Sequence, residues 1–446
     1  MPQLPLPPRY REQKFMNFLK NPRDFLYNHT VAQNGDYADL FRFEIFFRRV
    51  IVCAHPEAAR HLLVDNHRNY AKSDAFKVIG QMLGNGLLNS EGDFWKKQRR
   101  LMQPAFHKQR LQVVADITVQ ATQRLLHQNL LQRAEKVDFA REMVGLTIEI
   151  VTKALFGSTI SASIAEVWSN MNLVNRVGIK RIRNPFAAPT WIPTRENREV
   201  EAVVKLIDRV TMEIIENRRN ATPEDDLLQM LLDVQDEDTG ERMSDRQIRD
   251  EVITLFVAGH ETTVNAIAWA VFELGRNPEI YAKAKAEIQT IIGTRTPSFD
   301  DVPKLTYLAN LVNETLRLYP PAYAIPRVSI ADDEILGYRI PKNTNIMLNI
   351  FAIHRHPKYW HEPLTFNPDR FANLDLKGDR KYTFFPFGGG PRICIGNNFA
   401  LMEMILILTV LLQQADFQHD IKTPIDEDLF LTLKPSQPIK VEFKPV

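Results

Sequence analysis

One cysteine in a glycine-rich loop is the residue of this sequence best placed to do chemistry. Cys394 follows three consecutive glycines and Pro391, and these residues prevent a regular helix or strand from running up to it. Residues 397–408 come next as an apolar stretch without glycine or proline, which predicts a buried helix. Cys394 is therefore expected where a loop ends and a helix begins, so that unpaired N–H groups and the positive helix end favour a thiolate.

Several kinds of site could use such a cysteine. Structural zinc draws on clustered Cys and His residues, whereas Cys53 is the only other cysteine and ends the apolar, core-like run 50–52. A nucleophile needs a base to which the sequence does not point. A haem iron needs only one axial thiolate, and a buried structural cysteine needs no partner. Composition alone favours the structural cysteine and leaves the other roles open.

The residues around this cysteine resemble the haem-binding signature of the cytochrome P450 family. The matching pattern is Phe387-x-x-Gly390-x-Arg392-x-Cys394-x-Gly396. The resemblance implies that Cys394 is the metal ligand on the iron of haem b. It also implies that Arg392 faces a haem propionate and that Phe387 packs near the sulfur. Gly390 and Gly396 would let the backbone approach the ligand.

A long helix is predicted over residues 244–276, with polar residues in its apolar middle. Ser244 and Gln247 form a capping-box pattern at its start, and Asn277-Pro278 ends it. The middle reads Ala258-Gly259-His260-Glu261-Thr262-Thr263. A carboxylate, a hydroxyl and a glycine are costly in such a helix. They form either a tolerated polar edge or a place where the helix opens locally.

This hexapeptide resembles the oxygen-activation motif of the same family. The resemblance implies that Thr262 and Glu261 are catalytic, since Thr262 would steady dioxygen and Glu261 would help deliver protons. It places Gly259 against the cofactor and Ala258 against the substrate. His260 stands at the variable position and is expected to pack within the fold or face solvent.

Further family motifs follow at the expected order. Trp95-x-x-x-Arg99 and Arg327 match residues that reach haem propionates, for which a guanidinium is suited because it binds carboxylates bidentately. Glu314 and Arg317 are helix neighbours, and the resemblance adds Arg370 to form a structural network behind the haem.

Candidate substrate-binding residues rest mainly on the resemblance. The glycine-rich segment 70–90 cannot form one long helix and corresponds to a loop over the substrate pocket. The strand-like runs 429–433 and 439–443 predict a C-terminal hairpin, and the resemblance implies that its turn at 435–436 dips into the pocket. The implied substrate-binding residues are Phe76, Val78, Leu87, Ala258, Ala322 and Leu429.

The implied fold is mainly α with small β-sheets (α+β), formed by a single domain over residues 1–446. The haem would lie between the long central helix and the cysteine loop with its helix, residues 384–413. Alternation over residues 39–53 predicts a β-hairpin. Residues 1–35 are expected to be an N-terminal extension without a membrane anchor.

Composition limits the classes of partner. The formal net charge is +2, with 56 basic and 54 acidic residues, so no global field points to nucleic acid. Two distant cysteines suit a reducing compartment. A soluble, monomeric, cytoplasmic enzyme of bacterial type is expected.

The resemblance implies a haem-thiolate monooxygenase that uses O2 and a small apolar substrate. A long-chain fatty acid is the first expectation and a terpenoid or steroid-like molecule the second. Electrons would come from a ferredoxin or flavodoxin with its NAD(P)H reductase, docking on basic residues after Trp95 and on Arg380-Lys381. The rivals are a peroxide-driven peroxygenase, against which Glu261-Thr262 argues, and a haem-based gas sensor.

Overall fold

The computed structural model describes most of the chain. Its described residues are 4–10, 23, 39–45, 48–157, 187–223, 226–236, 240–419, 425–429 and 431–446, with 167, 173–174, 176–178 and 180–182. Most of the predicted N-terminal extension, residues 1–35, lies outside this set. Within it, residues 4–10 pack on the first sheet, since the N–H of Tyr10 donates to the carbonyl of Arg42 at 2.8 Å.

Helices form most of the described structure. They are α1 (Pro56–Arg60), α2 (Asp74–Leu83), α3 (Gly92–Met102), α4 (Lys108–Gln128), α5 (Phe139–Phe156), α6 (Arg195–Arg219), α7 (Leu227–Asp233), α8 (Asp245–Arg276), α9 (Pro278–Ile291), α10 (Thr306–Leu318), α11 (Ile350–Ile353) and α12 (Asn397–Gln414). A mainly helical fold with small sheets is thus confirmed.

The strands form four small sheets in the described residues. They are β1 (Leu40–Ile45), β2 (Arg48–Cys53), β3 (Tyr70–Lys72), β4 (Val137–Asp138), β5 (Ala324–Ser329), β6 (Asp333–Ile335), β7 (Tyr338–Ile340), β8 (Asn345–Asn349), β9 (Ala415–His419), β10 (Glu427–Leu429), β11 (Leu433–Pro435) and β12 (Lys440–Pro445). The sheet orders are β1-β2-β8-β5-β3, β4-β12-β9, β6-β7 and β10-β11.

The predicted hairpin over residues 39–53 is confirmed as the antiparallel pair β1–β2, with Leu40 opposite Cys53. Cys53 is fully buried, as expected of a core residue. The predicted C-terminal hairpin is wrong. β10 pairs antiparallel with β11, with Leu429 opposite Leu433, and β12 pairs with β9 and β4. β12 is drawn there because Val441 and Phe443 face the apolar side of β9, and strand propensity alone cannot choose a partner.

Helix α8 spans 32 residues through the centre of the fold. Its start confirms the predicted capping box: Ser244 Oγ accepts from the N–H of Gln247 at 3.3 Å, and Gln247 Oε1 accepts from the N–H of Ser244 at 2.7 Å. Helix α12 packs against α8 and is apolar all round its middle, so it is buried rather than amphipathic.

One helix in the described residues, α12, has the length and hydropathy of a membrane span. Because 61% of that window is buried inside the fold, its composition is explained by its place in the core. A single match of this kind is weak evidence for a membrane segment.

Candidate functional site

The cysteine loop is shaped by backbone contacts. A short 3₁₀ turn, Gly390–Arg392, precedes Cys394, and the N–H of Cys394 donates to the carbonyl of Phe387 at 3.0 Å. Gly390 has a φ of +65°, and a Cβ there would lie 1.8 Å from the carbonyl oxygen of Leu63. Only glycine fits this position. Gly396 precedes α12 and makes no comparably close approach.

The Cys394 thiol lies deep in the molecule and yet is exposed to open space. Burial raises the pKa of the thiol, which the Gly396 N–H and the charge of Arg99 only partly counteract. The expectation that the loop itself favours the thiolate is therefore wrong for the protein alone, because desolvation outweighs the helix end. A cation bound at the sulfur would reverse this balance.

The centre of α8 does not open locally, contrary to one sequence-based expectation. The helix runs without interruption from Asp245 to Arg276. Thr262 Oγ1 donates to the carbonyl of Ala258 at 2.7 Å, and Thr263 Oγ1 donates to that of Gly259 at 2.9 Å. Both hydroxyls thus bond to carbonyls of their own helix without displacing them.

Exposed residues on core elements mark an internal cleft. Ala258 is exposed although α8 is mostly buried around it, and Ala322 and Cys394 are exposed too. Gly259 faces α5, where a Cβ would lie 3.3 Å from Val151 Cγ2. A glycine is therefore explained at this position by helix packing, whatever else it contacts. His260 is buried, so it packs within the fold and does not face solvent.

Glu261 is held by the turn between β10 and β11. Thr432 Oγ1 donates to Glu261 Oε1 at 2.7 Å, and Asn265 Nδ2 donates to Thr432 Oγ1 at 3.0 Å. Glu261 is half-buried, whereas Thr432 and Asn265 are buried. The carboxylate is thus fixed from outside its own helix.

Three basic side chains gather where the predicted propionate residues lie; we call Lys72, Arg327 and Arg392 the cation cluster. Arg392 stacks on Trp95, with its guanidinium carbon 4.0 Å from the ring centroid. Arg392 Nη1 donates to the carbonyl of Ser90 at 2.8 Å, and Arg327 Nη1 to that of Pro326 at 3.0 Å. Lys72 Nζ donates to the carbonyl of Leu88.

The cation cluster forms no ion pair within the described residues. Burial, together with the positive charge of Arg392, lowers the pKa of Lys72 to about 7 and that of Arg327 to about 10. The nearby carboxylate of Glu91 accepts from the backbone N–H of Lys72 at 2.7 Å. Such a cluster is costly unless a bound anion neutralises it.

Arg99, in α3, contacts the cysteine loop. Its Nη1 donates to the carbonyl of Ile393 at 2.7 Å, and its positive charge acts on Cys394. Its expected partner was a propionate, whereas the observed one is the backbone beside the thiol.

The predicted network of Glu314, Arg317 and Arg370 is present. Glu314 accepts from Arg317 Nε at 2.7 Å, Arg317 Nη2 at 2.8 Å and Arg370 Nε at 2.9 Å. Arg317 Nη1 also donates to the carbonyls of His354 and Pro363, each at 2.8 Å. Glu314 and Arg317 are fully buried.

The candidate substrate-binding residues divide into open and buried ones. Phe76 lines a cavity of about 550 Å³ that also reaches Lys72 and Glu91. Val78 is half-buried. Leu87 and Leu429 are buried in apolar clusters, so they face neighbouring side chains more than open space.

Sequence reasoning missed three residues of the site: Lys72, Thr432 and Glu403. Lys72 stands in β3 and Thr432 in a turn, and neither has a local signal. Glu403 did have one, as a carboxyl in an apolar helix. It accepts from Thr263 Oγ1 at 3.2 Å, and burial raises its pKa to about 8.

Known proteins resemble this chain over most of its length. A sequence model of the cytochrome P450 family matches residues 5–443. Cyclooctatin synthase of Streptomyces melanosporofaciens is 32% identical over 385 residues, covering 85% of this chain and 83% of that protein. A cytokinin hydroxylase of Arabidopsis thaliana is 34% identical over 380 residues, covering 82% and 73% respectively.

A second Streptomyces melanosporofaciens protein, cyclooctat-9-en-7-ol 5-monooxygenase, is 31% identical and covers 89% of this chain and 85% of its own length. Among solved structures, the crystal structure of the cytochrome P450DA heme domain is similar with a TM-score of 0.88 at 26% identity. The match covers 100% of this chain and 98% of that one.

Proposed function

This chain belongs to the cytochrome P450 family, and we propose that it hydroxylates an apolar substrate in the cleft between α8 and the cysteine loop. The family relation makes the chain a monooxygenase with haem, iron protoporphyrin IX, as its cofactor. When bound, the haem supplies the activation of dioxygen and the insertion of one oxygen atom into the substrate.

The residues present fit a haem. An interior thiol open to a cleft offers one soft ligand to iron, and the cation cluster offers unpaired positive charge to two carboxylates. This unpaired charge is the observation that carries the proposal, because three half-buried cations close together repel one another and lose solvation unless an anionic ligand neutralises them.

We assign Cys394 as the metal ligand, with Phe387 holding its N–H and Gly390 and Gly396 shaping the loop. Arg392, Arg327 and Trp95 would hold the propionates together with Lys72. Arg99 would steady the loop beside the thiol, since it already binds the Ile393 carbonyl. Gly259 would give the cofactor access along α8.

Glu261 and Thr262 would move protons on the other side of the cleft. Thr262 has a hydroxyl whose present acceptor is a carbonyl of its own helix, so it can be redirected at little cost. Glu261 keeps partial access to open space and can exchange protons with water. The fully structural role falls to Glu314, Arg317 and Arg370.

The substrate is proposed to be largely hydrocarbon and to meet Ala258, Ala322, Phe76 and Val78, with Leu87 and Leu429 behind them. The related enzymes are named for cyclooctatin, cytokinin and cyclooctat-9-en-7-ol. These names favour a cyclic terpenoid-like substrate over the long-chain fatty acid that was the first expectation. Titration of each class into the oxidised enzyme, followed by its absorption shift and product analysis, distinguishes them.

Electrons reach enzymes of this family from redox partners, and we propose a ferredoxin or flavodoxin with its NAD(P)H reductase. Part of the expected basic docking face is neutralised: Lys97 pairs with Glu241, and Arg100 Nη2 lies 2.6 Å from Asp236. Arg380 and Lys381 are exposed and have no ion pair within the described residues. Lys381→Glu should therefore slow reduction at low salt more than Lys97→Glu.

Ligation by the cysteine is tested by the carbon monoxide spectrum of the reduced enzyme. Cys394→Ala should abolish the thiolate-type absorption, and Cys53→Ala should keep it because Cys53 is a core residue. An alanine variant at 394 that retained the absorption would refute the assignment. A gas sensor, the rival from another class, would show the spectrum but no product with a redox partner. We further propose that residues 1–446 form a single catalytic domain and that the protein is monomeric and cytoplasmic.

A further inference from the structure

The β10–β11 turn joins the proton-carrying side of α8 to the substrate side of the cleft. Leu429 and Leu433 flank the turn, stand opposite each other in the hairpin and are buried in the main apolar core. The N–H of Leu433 donates to the carbonyl of Pro321 at 3.0 Å. Pro321 directly precedes Ala322, which is exposed to the cleft. This hydrogen bond thus connects the turn to the residue next to Ala322.

The hydrogen bonds of Thr432 have a definite direction. Its hydroxyl has one proton and accepts from Asn265 Nδ2, so that proton is available for Glu261 Oε1. Asn265 lies four residues after Glu261 and therefore on the same helix face. The two α8 residues and the turn form a closed clamp on the carboxylate.

The hydrogen bonds of the clamp lie in a buried place, where the loss of one is not compensated by water. Thr432 and Asn265 are 9% and 6% exposed, so water cannot readily replace either partner. Glu261 is only half-buried. The Thr432 hydrogen bond therefore restrains the rotamer of the Glu261 carboxylate.

We propose that Thr432 is a positioning residue that couples occupation of the substrate cleft to the orientation of the Glu261 carboxylate. The proposal rests on the proposed proton-carrying role of Glu261. A substrate against Ala322 holds the turn, the turn holds Thr432, and Thr432 holds the carboxylate ready to deliver protons. An empty cleft leaves the turn less restrained, so proton delivery is less efficient.

Thr432→Val removes the donor while keeping the shape of the side chain. Product formed per NADPH should fall about two- to tenfold, the range for one lost hydrogen bond, with the missing electrons recovered as peroxide. Substrate affinity should change much less. Thr432→Ser keeps the hydroxyl and should restore coupling. Thr118→Val is the matched control, since Thr118 is a fully buried threonine that donates to the Val114 carbonyl far from the cleft.

A second readout does not depend on turnover. Hydrogen–deuterium exchange of residues 429–435 should slow when substrate binds to the wild-type holoenzyme and should slow less in Thr432→Val. If Thr432→Val folds poorly, Asn265→Ala tests the clamp from its other end, because it removes the hydrogen bond that orients the Thr432 hydroxyl toward Glu261; product per NADPH should fall here too.

The outcomes separate this inference from the proposed function. Normal coupling in Glu261→Gln would overturn the proton-carrying role itself. Uncoupling in Glu261→Gln, with Thr432→Val equal to wild type in coupling and exchange, would overturn only the clamp. If both hold, the double variant should be no less coupled than Glu261→Gln alone.

Discussion

Two groups of basic side chains in the interior of this protein differ in whether their charge is matched. In the Glu314–Arg317–Arg370 network, one carboxylate accepts from both arginines, and further donors reach backbone carbonyls. In the cation cluster, Lys72, Arg327 and Arg392 contact carbonyls and aromatic rings and form no ion pair with the part of the chain that the structure describes. The first group is complete within the chain, whereas the second is completed by a ligand that carries negative charge.

This difference separates structural from functional charge. A matched buried network cannot be altered without leaving a charge stranded. In the haem-free protein, the unmatched cluster already carries the destabilisation of stranded charge. Removing one of its cations should therefore stabilise the haem-free protein but weaken the binding of the anionic ligand. Four experiments can break or sharpen this comparison.

Glu314→Ala should have the largest effect. It leaves Arg317, which is fully buried, without its carboxylate and should cost about 3–5 kcal/mol of unfolding free energy. Urea denaturation and haem content measure the loss. Normal yield with full haem would contradict the structural role.

Arg327→Met should have opposite effects on two states. The variant without haem should be as stable as the wild-type protein without haem or more so, because a half-buried charge without an ion pair is removed. Haem affinity should fall by about 1.5–3 kcal/mol, the range for a hydrogen bond to a charged group. Haem transfer to an acceptor protein measures the affinity. A loss of stability in the haem-free protein would place Arg327 with the matched network instead.

Lys72→Met should change the pH dependence of the haem-free protein. The pKa of Lys72 is about 7 in the folded chain and near 10.4 when unfolded, so the unfolded chain binds the extra proton between these values. Wild-type stability relative to the variant should therefore rise with pH over this window, by at most about 1.4 kcal/mol per pH unit. Bound haem should abolish the slope. A slope that persisted with haem would exclude Lys72 from the propionate site.

Asp416→Ala should have the smallest effect and serves as a surface control. Its carboxylate lies 2.6 Å from Lys285 Nζ, and both side chains are partly exposed. Such pairs contribute about 0–1 kcal/mol. If Asp416→Ala lowered the unfolding free energy nearly as much as Glu314→Ala, then the pairing of charges, rather than their burial, would determine how much such a loss destabilises the protein.

Local pattern was sufficient for much of the fold. The capping box at Ser244, the hairpin ending at Cys53 and the breaks around Gly84 and Pro278 depend on residues close in the chain. Such signals act through backbone conformation and short-range hydrogen bonds. The pairing of β12 with β9 was not predictable, because the strand propensity of a segment does not specify which distant strand it pairs with.

The sequence by itself determined the kinds of residue at the site: a lone cysteine after glycines, an acid–threonine pair in an apolar helix and the Glu–Arg spacing of Glu314 and Arg317. Only the tertiary structure decided which distant residues serve them. Lys72 joins Arg327 across the β3–β5 pair, and Thr432 reaches Glu261 over 171 positions. Such partners are chosen by how sheets and helices pack, and packing depends on contacts between residues far apart in the chain.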